Sequence, residues 1–122
     1  MAISGERTLM AAIIPPQTSH IHALNSMAIK DMKSISFICA YFSSIVYDFF
    51  IKSTGKSDLH EQACKLPICT DKYVKELTLR ANLLNCVNIY YEYLWNESWN
   101  EEFKNDKWYK GDFRLQNSMF KK

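Results

Sequence analysis

The stretch from Asp31 to Leu66 constrains this chain more than any other, because its first part, Asp31 to Phe50, leaves almost no polar face. Met32, Ile35, Ile38, Phe42, Ile45, Val46 and Phe49 recur at spacings of three and four, the period of one side of a helix. Asp31 stands before the run, where its carboxylate can cap the first-turn amides. Ser36, Ser43, Ser44 and Asp48 make a narrow polar strip along the remainder. A helix with so little polar surface needs cover on most sides, so the pattern predicts the centre of a core. It does not predict a membrane span. Lys33 and Asp48 enclose only fourteen uncharged residues, and a spanning helix needs about 20.

Before this platform, Leu9 to Ile14 form a short continuous apolar run stopped by Pro15-Pro16, which reads as a buried strand. Gln17 to Ile21 read as a turn or loop, and residues 22–30 as a second strand or irregular chain. After the platform comes KSTGKSDLH, residues 52–60, with Gly55 free to take unusual backbone angles. Leu66-Pro67-Ile68 then reads as an extended exit. From Asp71 a long helical pattern follows, with Tyr73, Leu77, Ala81, Leu84, Val87, Tyr91, Leu94 and Trp95 on one face. Arg80, Asn82, Asn85, Asn88 and Glu92 fall on the other. The expected fold class is therefore α+β, with short amino-terminal strands packed on two main helices and an aromatic–basic carboxy-terminal tail. Residues 1–103 are expected to form part of a domain, and 104–122 a truncated aromatic and basic segment in which Trp108, Tyr109, Phe113 and Phe120 lie among lysines. A tail of that composition looks like a cut piece of something longer, with a partner surface to cover.

The net charge of +2 over 122 residues is too small to argue for nucleic acid, but its distribution is sorted. Residues 51–80 carry six Lys/Arg against four Asp/Glu, and residues 81–103 carry four Glu with no Lys or Arg. Residues 104–122 return to six basic against two acidic groups. The four cysteines, Cys39, Cys64, Cys69 and Cys86, show no CxxC spacing. The start of the chain lacks a basic segment followed by a long apolar one. Reduced thiols in a cytoplasmic protein are the expectation.

Three constellations have a plain alternative. KSTGKS lacks the first glycine of a phosphate-binding P-loop and follows a helix rather than a strand. It remains a basic loop fit for a nucleic-acid backbone, or a solvated turn. His20 and His22 with Cys64 and Cys69 have a wider gap than structural zinc sites use, and Pro67 falls inside it. No metal site is expected. His60 and Cys64, four apart, bring a thiol near an imidazole without a third group or an oxyanion donor. No catalytic residue is assigned.

Taken together, GERTLMAAIIPP, His20, ICAYFSSIVYDFFIKSTGKSDLHEQACKLPI and RANLLNCVNIYYEYLW resemble one family, in order and spacing, over residues 5–96. The resemblance is to the target-recognition region of large bacterial adenine-specific DNA methyltransferases, of the fused restriction–modification and phage-defence kind. Relatives carry an "ERTL…AAIIP" strand, an apolar "…F…S…DF…R" helix, a "G…L…L…LPIP" segment and an "RA…LN…Y…LW" helix. Lys52 stands where they have arginine, so a forked contact becomes a point charge. Cys69 replaces their second proline. No [DNS]-P-P-[YF] tetrapeptide and no glycine-rich adenosylmethionine loop occurs.

The resemblance implies a non-catalytic fragment that helps choose a DNA sequence, with double-stranded DNA and the methylase domain of its own parent chain as partners. It implies no cofactor in the fragment, and S-adenosylmethionine in the parent. Lys52, Lys56 and Lys65 would hold phosphates, and Ser53, Thr54, Ser57 and His60 would reach phosphates or base edges. Arg7, His20 and His22 would add contacts from the strand side. The alternative is a structural or protein-interaction module docking through its aromatic tail, without nucleic acid.

Overall fold

A computed structural model describes residues 6–22, 24–53, 71–109, 111 and 113. Among them four α-helices form: α1 (Met32–Phe42), α2 (Ile45–Ser53), α3 (Val74–Asn85) and α4 (Glu92–Ser98). Short 3₁₀ turns occupy Asp71–Tyr73, Ile89–Tyr91 and Glu101–Asn105.

The expected α+β class is not what the chain adopts. No described residue lies in a β-strand, and the fold is helical. The amino-terminal run has the side-chain alternation of a strand. Leu9, Ala11, Ile13 and Pro15 turn inward, while Met10, Ala12, Ile14 and Pro16 are exposed. Period two makes a strand only when a second backbone supplies the ladder, and here side chains supply the bonds instead. The amides of Thr8 and Leu9 donate to Asp48 of α2. The Ile13 amide donates to Asn85 Oδ1 of α3 at 3.0 Å, and Tyr91 Oη donates to the Ile13 carbonyl at 2.9 Å. After Pro15-Pro16 the chain turns at Gln17, whose φ of 64° is left-handed for a residue other than glycine.

The single platform helix is also two. Asp31 caps α1 through the Ser34 amide, 2.8 Å away. α1 ends where the Ser43 amide bonds back to Cys39 O at 3.0 Å. Ser44 Oγ then accepts from the Tyr47 amide at 3.2 Å and starts α2. The axes differ by 64°. This break separates the apolar stripe, so Ile45, Val46 and Phe49 face solvent while Tyr47 and Ile51 are buried with Leu9. No single helix among the described residues is long and apolar enough to cross a membrane. α1 and α2 pass that test only as a bent pair.

The second helical stretch breaks as well. α3 stops at Asn85, and Asn88 Oδ1 caps the following turn through the Tyr90 amide at 3.0 Å. Leu84 and Val87, expected on the inner face, are exposed. Asn82, expected on the outer face, is 1% exposed. It is the middle of a polar wire through the core. Ser36 Oγ donates to Asn82 Oδ1 at 2.5 Å, Asn82 Nδ2 donates to Ser98 Oγ at 2.6 Å, and Ser98 Oγ donates to the Leu94 carbonyl at 2.6 Å. α1, α3 and α4 are thereby locked in register. Beside the wire, Leu79 and Phe103 are buried under Leu83, Trp95, Trp99 and Trp108. Trp108, from the aromatic–basic segment, packs against this core, and the Arg80 guanidinium lies 5.7 Å from its ring. Arg80 also forks onto Asp106 at 2.8 and 3.2 Å.

Two substitutions test this packing. Asn82→Ala leaves two hydroxyls without their shared partner and should cost about 2–3 kcal/mol in urea unfolding. Leu79→Ala opens a cavity at the other core and should cost about 3 kcal/mol by the same measurement.

Candidate functional site

Asp48 is the only acid in an otherwise apolar and hydroxylic run from Ser34 to Ile51, and α2 carries it into the interior at 5% exposure. A buried carboxylate persists only when its oxygens are fully used. Oδ1 accepts from the Thr8 and Leu9 amides at 2.6 and 2.7 Å. Oδ2 faces Lys52 Nζ at 3.4 Å and Arg7 Nε at 3.8 Å. Lys52, one turn on, also donates to the Glu6 carbonyl, and Arg7 Nη2 donates to Ser43 O at 2.6 Å. The Leu9 amide is the main influence holding the Asp48 carboxyl below the usual carboxylate range. Burial works against it, and the Thr8 amide and the Lys52 charge work with it.

Of the residues assigned to DNA contact, the structure brings Arg7 and Lys52 together around Asp48, each side chain still 38% exposed. Ser53 Oγ donates to the Phe50 carbonyl of its own helix at 2.7 Å. His20 is exposed in a loop of its own, with Nδ1 3.0 Å from Ile21 O and Nε2 2.7 Å from Ser26 Oγ. His22 is exposed. Thr54, Lys56, Ser57, His60 and Lys65 lie outside the described residues, as do Cys64 and Cys69. No group of three metal-ligating side chains gathers among the described residues.

A second feature lies at the far end of α3. Leu83, Cys86, Asn88, Ile89, Tyr91, Glu92 and Trp95 line an open cleft of about 450 Å³. Burial pushes the Cys86 thiol up to about 11, so it stays neutral there. Burial likewise raises Cys39. Neither thiol has the electropositive surroundings of a nucleophile.

Sequence reasoning missed Asp48, Asn82, Asn85 and Tyr91 as joints. Asp48 left one signal, an acid one helical turn before Lys52 in a run that had no other. The asparagines left none, because a core amide and a surface amide are the same letter. No family model, no curated protein and no solved structure matches the chain.

Acid should undo the Asp48 joint. A carboxylate whose folded pKa is depressed contributes stability above its unfolded value, near 3.9, and loses it as pH falls through the lower folded value. Asp31, held low first by the Ser34 hydroxyl, and Asp106, held low first by Arg80, act in the same direction. Urea midpoints measured against pH should therefore fall below about pH 4. Asp48→Asn should lower the midpoint at neutral pH and flatten that acid limb.

Proposed function

We propose that this chain is the DNA target-recognition part of an adenine-specific methyltransferase of the restriction–modification or phage-defence type, with no methyl-transfer chemistry of its own. The observation that supports this reading is where the family-like segments meet. Arg7, Thr8 and Leu9 of the ERTL segment close on Asp48 and Lys52 of DFFIK. Ile13 of AAII closes on Asn85 and Tyr91 of LLNCVNIYY. Residues the resemblance picks out are thus the joints of one scaffold. Recognition needs such a scaffold, because base edges are read by side chains held to within a fraction of an ångström.

The clasp changes the division of labour. Arg7 and Lys52 are tied to Asp48, so in this reading phosphate contact is assigned chiefly to Lys56 and Lys65, which follow Ser53 in sequence. The methylase domain of the parent chain, double-stranded DNA and a cytoplasmic setting are the partners and place this reading requires. S-adenosylmethionine would bind in that other domain.

A second reading, a protein-interaction module, is favoured by one observation. Ile45, Val46, Phe49 and Phe50 lie exposed on one face of α2, and Tyr109 and Phe113 are almost wholly exposed. Apolar patches of this kind mark contact with another protein surface.

Duplex binding separates the two. Under the first reading, anisotropy titrations of a mixed-sequence duplex give affinity that falls with salt. Lys56→Ala with Lys65→Ala should then make the log–log slope shallower by about 2. Lys52→Ala should instead lower the unfolding midpoint and leave that slope nearly unchanged. No duplex binding at low salt, or an unchanged slope in the double variant, would discard DNA recognition in favour of the interaction module.

A further inference from the structure

We propose that the cleft between the end of α3 and α4 is a docking site for a cationic side chain, arginine or lysine, carried by a basic polypeptide segment. Three features converge there, and each favours positive charge. Glu92 contributes an exposed carboxylate with no ion pair among the described residues. Tyr91 and Trp95 line the same cleft, and aromatic faces attract guanidinium and ammonium groups. α3 ends at the cleft, so the partial negative charge of its last carbonyls lies there, and its last turn holds no basic residue.

No cation among the described residues faces this cleft, although the Asn82 and Asn85 carbonyls at the end of α3 accept from the Cys86 and Val87 amides. No lining residue is basic, and residues 81–103 contain neither Lys nor Arg. Two other acids of the stretch are paired. Glu101 pairs with Lys104 at 2.5 Å, and Glu102 with Lys75 at 2.6 Å. Glu92 and Glu97 are left without an ion pair among the described residues, and of the two only Glu92 borders the cleft. The volume of about 450 Å³ exceeds what one long side chain fills and sits within the range of ligand sites. Leu83 and Ile89 give its methylene stem an apolar wall. DNA is disfavoured at this face, since its phosphates would meet Glu92 and the negative end of α3. The inference stands apart from the DNA reading and survives its failure.

The test uses the full chain and a capped arginine–glycine peptide, with the citrulline counterpart as a neutral match in shape. The Trp95 indole N–H resonance should shift and saturate with the arginine peptide and stay still with citrulline. Glu92→Gln should weaken binding roughly three-fold, and Glu92→Lys about ten-fold or more. Glu97→Gln, an exposed acid outside the cleft, should leave affinity unchanged. The proposal falls if the arginine peptide leaves Trp95 unmoved, if citrulline binds as well, or if Glu97→Gln weakens binding as much as Glu92→Gln. It also falls if duplex DNA produces the same Trp95 shift.

Discussion

One carboxylate decides where the first third of this chain goes. Asp48 is buried on α2, and an ionised group there is tolerable only if donors surround it. Two consecutive amides, those of Thr8 and Leu9, fill one oxygen, and two cations stand against the other. Once those amides are fixed, Leu9 falls onto Tyr47 and Ile51, and the small core beside α2 closes. Burial of three such side chains contributes about 1.5–3 kcal/mol each. The polar contact thus chooses the register, and the apolar contacts supply most of the adhesion.

The other half of the molecule repeats the device with uncharged groups. Asn82 has an acceptor and two donors, and its neighbours Ser36 and Ser98 use them across three helices. Asn85, one turn later, turns to the amino-terminal run instead. A hydrophobic core alone tolerates sliding of helices by a turn. A directional wire of hydroxyl, amide and hydroxyl does not.

What could be read in the letters follows from what is local. Asp31 as a cap depends on near neighbours and is visible in sequence, whereas the alternating burial of the Leu9–Ile14 run is not, because all six of its residues are apolar. The strand assignment failed because a continuous apolar run stopped by prolines marks a buried segment and says nothing about what its backbone bonds to. The long helices failed at Ser43-Ser44 and at Cys86–Asn88, where capping by Ser44 and Asn88 outweighs a continuing apolar period. At the candidate site, Arg7 and Lys52 were recognisable as cations. Their commitment to Asp48 was not, since Arg7 lies some forty residues from it in sequence and the distance exists only in the fold.

The amino-terminal run ends up as a tie bar of fixed length between α2 and α3, anchored at Leu9 on one helix and at Ile13 on the other. Its inner and outer faces alternate residue by residue, so its length has a parity. Inserting one residue between the anchors would put Met10 or Ala12 where the core expects its neighbour, and one anchor would have to let go. Inserting two would preserve the faces and merely lengthen the bar, swinging α2 away from α3. Evolution can therefore retune the angle between those helices in steps of two residues, and is barred from steps of one.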